Sequence, residues 1–333
     1  MENSTNRPLF IVLTPVRNEA WVLRAFLEAT SLWADYIIIA DQMSTDGSRE
    51  IVKEYPKAIL VDNDRKEMHQ AATRRLLFEE SKKIEGDKIL FALDADEFLA
   101  GDFVNSEDWR KIMGSKPNEV FCWRWMNLNG DNLNRCSTGP YYYWAVHASD
   151  DLWDGLFPDN YIHEWRLPWP PKATEDDKHE LEGLYSIHLA WTNQNRQRNK
   201  ERFYQVSTVA KEPDKSKVGI FRQYHYIETT HWVDLPERSY KFYEDHGLDV
   251  WKYVDLNDEG AYFTAEVLRY FERDGIGRYA MLDIWDEGWM KRNNIADPRT
   301  SLQKKVLKYL RRTSPKMDAW HVHAMDKILK RFV

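Results

Sequence analysis

Several features common in other protein classes are scarce or missing here. Only two cysteines, Cys122 and Cys136, occur in 333 residues. They form no disulfide framework and fit no metal-ligand spacing, so a reducing compartment is expected. No apolar run exceeds the six residues from Tyr141 to Val146, far short of a membrane span. The opening stretch MENSTNRPLF is polar and lacks the apolar core of a signal peptide. A cytoplasmic protein is expected, with the inner face of a membrane as an alternative site. Basic charge does not dominate: 47 Lys and Arg stand against 54 Asp and Glu, a formal net charge of -7. That balance argues against a general nucleic-acid binder. There is no G-x-x-x-x-G-K-[ST] phosphate loop, and no second histidine follows His163-Glu164 at zinc-protease spacing. Internal repeats and low-complexity tracts are likewise missing.

What the chain does have is a regular rhythm in its first hundred residues. LFIVLT (9–14), YIIIA (36–40), AILVD (58–62) and KILFAL (88–93) are short apolar runs rich in Ile, Val and Leu. Helical stretches separate them: EAWVLRAFLEATSLW (19–33), SREIVKEY (48–55) and EMHQAATRRLLFEESKKI (67–84). Such runs fit a parallel sheet covered on both faces. The expectation is an α/β, Rossmann-like, mostly parallel sheet with helices on both faces, followed by a mainly helical C-terminal extension. After residue 100 the pattern loosens. EVFCWRWMNL (119–128) reads as a strand, 193–212 as a helix, and 301–312 and 324–332 as basic helices. Pro213 should end the helix before it. This places a boundary at 212, between a domain over 1–212 (donor half 1–100, acceptor half 101–212) and a helical region over 213–333.

In open parallel sheets, ligands bind beyond the carboxyl ends of the strands. The first four strands end in TPVRNE (14–19), DQMSTDGS (41–48), DNDR (62–65) and DADE (94–97). At least seven carboxylates therefore gather on one rim, which is costly unless a cation or donor groups compensate. Asp94 and Asp96 offer hard oxygen ligands, with the small Ala95 between them allowing close approach. They suit Mg²⁺ or Mn²⁺, which usually combine one or two carboxylates with phosphate oxygens and water. A solvated acidic turn is the plainer reading of an isolated D-x-D. Asp41 is suited to accept hydrogen bonds from a base or ribose, and Asp46 to cap a helix. For Glu19, at a helix start, the plainer reading is a partner for the helix dipole. Arg74 and Arg75 either lie on a solvated helix face or offset the acidic rim.

TPVRNEAWVL, IIIADQMSTDGSREI and ILFALDADEFL, in that order and spacing, resemble family 2 glycosyltransferases of the GT-A fold. The resemblance covers roughly residues 9–100. It implies a hexosyltransferase-type enzyme whose nucleotide-sugar donor contacts Pro15, Arg17, Glu19 and Asp41. It also implies that Asp94 lies near the ribose with Ala95 beside it, and that Asp96 holds Mn²⁺ or Mg²⁺ on the diphosphate. An arginine, Arg74 or its neighbour Arg75, belongs on the helix before the D-x-D strand. One departure is visible: Gln42-Met43 stands where many relatives have Asp-Gly. In such enzymes the second half supplies the acceptor site, a catalytic carboxylate and often a metal-binding histidine. Glu164 in YIHEWRL (161–167) matches the carboxylate, and His188 in LYSIHLAW (184–191) the histidine. Glu164 as base implies inversion at the anomeric carbon. Its rival role is pairing with Arg166, in which case Glu97 or Asp154 would be the base. For His188 the rival is a satisfied core histidine.

The 15 Trp and 17 Tyr fit either an aromatic core or platforms for sugar rings. The expected partners are a nucleotide-sugar donor and a glycan or lipid-linked acceptor in polysaccharide biosynthesis, with no nucleic acid. Leu302, Val306 and Leu310 lie at helical spacing among basic residues. They either pack on the domain or bring the C-terminal helices against a membrane. A nucleotidyltransferase of similar fold would normally carry a Gly-rich phosphate loop near strand one, which TPVRNE lacks. A non-catalytic carbohydrate-binding protein would have no need of the D-x-D and would bind sugar without turning over a nucleotide.

Overall fold

The structure is a computed structural model in which residues 7–154, 166–224 and 231–330 are described. The chain begins with β1 (Leu9–Val16), α1 (Ala20–Ser31), β2 (Tyr36–Asp41), α2 (Ser48–Lys53), β3 (Ala58–Asp62), α3 (Gln70–Lys82) and β4 (Lys88–Ala92). It continues through β5 (Glu97–Leu99), α4 (Glu107–Met113), β6 (Val120–Asn129), β7 (Asn132–His147) and β8 (Lys178–His188). Then come α5 (Gln194–Lys211), α6 (Lys217–Tyr224), β9 (Val233–Asp234), α7 (Lys241–Asp245) and α8 (Ala261–Asp274). The last helices are α9 (Glu287–Arg292), α10 (Ser301–Thr313) and α11 (Trp320–Leu329).

All the described strands belong to one sheet, ordered β3-β2-β1-β4-β7-β6-β8-β5, with β9 beside β7. The first four are parallel, as the helices between them require. β7 then joins β4 antiparallel, so the sheet is mixed beyond that point. Alternation along each strand sorts the apolar residues onto two faces. Phe10, Val12, Ile37, Ile39, Ile89 and Phe91 pack with α1. Ile11, Leu13, Ile38, Ala40, Leu90 and Ala92 pack with Leu77 and Phe78 of α3. The expected α/β class, with helices on both faces and a helical C-terminal region, is what the structure shows. Many of the aromatics are core: Trp123 and Trp144 are fully buried, and Trp109 nearly so.

Pro15 lies within β1, where sequence reasoning would have ended the strand. Beyond Leu13, β1 has lost its partner on β4 and pairs only with β2, Pro15 lying opposite Ala40. A residue without an N–H is tolerated there as on a sheet edge.

The chain divides into two compact units, 1–192 with 233–257, and 193–232 with 258–333. The boundary expected at 212 falls inside the second unit, between α5 and α6. That unit has a small core of its own, with Val218 and Phe221 of α6, Met281, and Leu307 and Leu310 of α10. Among the described residues no helix is long and apolar enough to cross a membrane.

Candidate active site

The order β2-β1-β4 puts three carboxyl ends side by side, with Asp41 opposite Val16 and Ala92 opposite Leu13. After β4 the chain turns through Asp94–Glu97, the Glu97 N–H bonding to the Asp94 carbonyl at 3.1 Å. It leaves as β5, which pairs with β8 instead of continuing beside β1. The three carboxylates of DADE thus sit where the sheet changes partners, and each has a different environment.

Glu97 is wholly buried. Its oxygens accept hydrogen bonds from Arg166 at 2.5 and 2.8 Å, from the Asp94 backbone N–H at 2.7 Å and from the Trp125 indole at 2.8 Å. With its lone pairs engaged, Glu97 anchors the turn. Asp94 is more open and is held by Arg74 at 2.5 Å and Arg166 at 3.1 Å. Burial pushes the Asp94 carboxyl up, but the guanidiniums of Arg166 and Arg74 outweigh it and hold it below the usual carboxylate range. Burial also pulls at Arg166, where Asp94 and Glu97 prevail and raise it above an ordinary arginine. At Arg74 burial wins and the pKa is lowered, though a guanidinium remains charged. Arg166 is flanked by the rings of Trp144 and Trp125, 4.6 and 5.0 Å from the guanidinium carbon. Arg74 is buried on α3 while Arg75 is exposed.

Asp96 is buried, with Oδ2 3.5 Å from Nε2 of His188. The pairing of strands brings them together: His188 ends β8 opposite Glu97 on one side and Asn127 on the other. Nδ1 of His188 lies 2.7 Å from Oδ1 of Asn127. An amide oxygen can only accept, so Nδ1 is the donor in this contact, which fixes the ring with Nε2 toward Asp96. Trp125 stacks on the ring at 5.1 Å and 11°. Such orientation by an outer partner is typical of metal-binding histidines. Among the described residues no group of three or more His, Cys, Asp or Glu is arranged to hold a metal. The Asp96–His188 pair fits an ion whose shell is completed by phosphate oxygens and water.

At the end of β2, Asp41 is buried. Its Oδ2 accepts from Arg49 at 2.9 Å and from the Ser44 N–H at 3.1 Å, while Oδ1 is buried with no hydrogen-bond partner. Arg49 also reaches Asp62 at 2.7 Å, joining the ends of β2 and β3. Nη1 of Arg74 is a second buried atom without a partner. Pro15 and Ala95 contribute backbone to the rim, Ala95 being buried and Pro15 partly so. Arg17 bonds to the Lys66 carbonyl at 3.3 Å. Glu19 precedes α1 and takes the Trp21 indole N–H at 2.5 Å. Asp46 accepts from the N–H groups of Ala20 and Ser48 at 2.9 and 3.0 Å, tying together the starts of α1 and α2. Met43 has a left-handed backbone (φ 55°), a conformation that favours glycine. Gln42 holds the loop by donating to the Arg65 and Glu67 carbonyls at 2.7 and 2.8 Å.

Glu164 and His163 lie outside the described residues. Arg49, Asn127 and Trp125 were not singled out from sequence, and Arg166 only as a possible partner of Glu164. Their roles depend on neighbours far along the chain, and no local spacing announces them.

The chain has some likeness to solved structures. One is glucosyl-3-phosphoglycerate synthase from Mycobacterium tuberculosis, crystallised with Mn²⁺, UDP and glucosyl-3-phosphoglycerate. It is 15% identical, with 36% of this chain and 44% of that one covered and a TM-score of 0.27. This chain therefore spans less than half of that protein. A mycobacterial protein is 11% identical over 58% of this chain and 73% of its own, with a TM-score of 0.36. The inositol-1-phosphate CTP transferase from T. maritima is 10% identical over 55% and 89%, with a TM-score of 0.34. These likenesses are too partial to bear on activity. No curated protein matches the sequence. Residues 11–106, which hold most of β1, β2 to β5 and the acidic rim, match the family described as Glycosyl transferase family 2.

Proposed function

We propose that the protein is a metal-dependent glycosyltransferase that moves a sugar from a nucleotide-sugar donor to a hydroxyl acceptor with inversion. A glycan or lipid-linked acceptor, in cell-surface polysaccharide or glycan synthesis, is the setting we favour. The observation that carries this reading is that two buried atoms on the rim lack a hydrogen-bond partner, the acceptor Oδ1 of Asp41 and the donor Nη1 of Arg74. Leaving such groups unpaired costs about 1–3 kcal/mol each. A ligand with hydrogen-bond donors at one end and anionic oxygens at the other, such as a nucleoside diphosphate, would satisfy both.

In this reading Asp41 receives the base or ribose, with Pro15, Arg17 and Glu19 alongside. Arg74 binds phosphate while it orients Asp94 toward the ribose, and Ala95 leaves room for the diphosphate. Asp96 and His188 would hold Mn²⁺ or Mg²⁺, with Asn127 orienting the imidazole through Nδ1. The bound ion would supply Lewis-acid stabilisation of the departing diphosphate. Glu164 takes the proton of the acceptor hydroxyl. The oxygen then attacks the anomeric carbon from the face opposite the diphosphate, whose bond to the sugar breaks.

Calorimetry with UDP and GDP, with and without Mn²⁺, tests the donor site. Binding should depend on the metal, be nearly lost in Asp96→Ala and be weakened in His188→Ala, with folding intact. Affinity that is the same with and without metal would sink the reading. Glu164→Gln should keep donor binding and lose transfer by about 10²–10⁴-fold, the usual range for a general base. Near-normal transfer by that variant would move the base elsewhere.

A further inference from the structure

Formal charge is unevenly spread along the chain. Residues 301–333 hold nine Lys and Arg against two Asp, a formal +7, which leaves -14 on the rest of a chain whose total is -7. Within this basic segment the apolar residues of α10 turn inward. Leu307 and Leu310 are buried in the core of the second unit and Val306 packs against it, leaving only Leu302 exposed. α11 is different. Its inner face carries Val322 and Asp326, both buried, and Leu329, which packs against the core. On its outer face Trp320, Ala324 and Ile328 follow one another at intervals of four, which aligns them in one stripe. Trp320 is 81% exposed, Ile328 51% and the neighbouring Met325 41%.

This exposure is imposed by the fold. Asp326 receives a two-pronged bond from Arg222 of α6, at 2.8 and 2.9 Å. The same guanidinium donates to the Leu310 carbonyl and to Thr313 Oγ1 at 2.8 Å each. α11 is therefore keyed to its unit through Asp326, and the Trp320 stripe must face away. Lys316, Lys327 and Lys330 are exposed around it.

We propose that α11 is an interfacial helix that docks the protein on an anionic lipid bilayer. Trp320, Ile328 and Met325 enter the headgroup boundary while the lysines meet lipid phosphates. An exposed tryptophan in an apolar stripe flanked by lysines is the chemistry of that boundary. A second copy of the chain fits less well. A two-fold contact through this stripe would oppose like charges, and so few side chains fall short of the roughly 800 Å² per partner of a stable interface. The proposal is independent of the transferase reading.

Co-sedimentation of the full chain with phosphatidylcholine vesicles, with and without phosphatidylglycerol, tests it. Binding is expected only with the anionic lipid and should weaken in high salt. The double variant Trp320→Ser, Ile328→Ser removes exposed groups and should keep the wild-type Tm while lowering partitioning about tenfold or more. Lys327→Glu with Lys330→Glu should also release the protein. No binding to anionic vesicles, or unchanged binding of either double variant, overturns the proposal. So does a lipid-free dimer, seen by sedimentation velocity, that the serine variant dissociates; the occupant would then be a second copy.

Discussion

The carboxylates at the ends of β2 and β3 and those at the end of β4 meet the same problem with different means. At the first, one arginine, Arg49, with 30% of its side chain exposed, spans the buried Asp41 and the open Asp62. Arg49 and Asp62 stay open to solvent, and one oxygen of Asp41 is left without a partner. At the second, two nearly buried arginines close on Asp94 and on the fully buried Glu97, and Trp125 and Trp144 flank one of them. Solvent cannot substitute for a partner there. Neutralisation by an exposed group leaves a site adjustable, whereas neutralisation by buried guanidiniums makes it rigid and intolerant of loss. The rigid end carries Asp96 and His188, where a bound ion would need fixed ligands.

The largest effect should come from Arg166→Met, which leaves Glu97 buried and uncompensated. Breaking a buried pair in this way costs about 3–5 kcal/mol. For a unit of this size that is roughly 2–4 °C of Tm per kcal/mol, measurable by thermal or urea unfolding. A loss below about 1 kcal/mol would show that the β4 end is no more rigid than the β2 end.

An intermediate effect should appear in acid. The folded-state pKa of Asp94 is depressed. Its contribution is therefore complete above the unfolded value, near 3.9, and is lost as pH falls through the lower folded value. In Asp94→Asn the stability curve should be flatter below about pH 4 than in wild type. Parallel acid limbs for the two proteins would remove Asp94 from the account.

The smallest effect belongs to Arg49→Met. A partly exposed pair contributes about 0–1 kcal/mol, so Tm should barely move. Nucleotide affinity is the more sensitive readout here, because Asp41 loses the group that orients it. A stability loss equal to that of Arg166→Met would erase the distinction between the two ends.

Much of the acidic rim was legible because each of its strands is a short apolar run ending in carboxylates, and the parallel arrangement puts those ends together. The second half was harder. β7 mixes exposed and buried positions and contains Gly139 and Pro140, so its apolar run, Tyr141 to Val146, marks only its second part. β5 has three residues, too few for a periodic signal. His188 was readable as either a core residue or a ligand, because its surroundings are set by strand register rather than by its own neighbours in sequence. On α10 the apolar spacing was visible, but which of its residues remained exposed was not.

The sequence by itself determined the alternation of strands and helices, the parallel order of the first four strands and the crowding of carboxylates at their ends. These follow from local hydrophobic pattern and from the geometry of β-α-β connections. Only the tertiary structure decided how those charges are balanced. Arg49 reaches two strand ends, Arg166 arrives from 69 residues beyond Glu97, and β8 sets His188 beside Asp96 and Asn127. Coulombic and hydrogen-bond partners are chosen by distance in space, which local pattern does not encode.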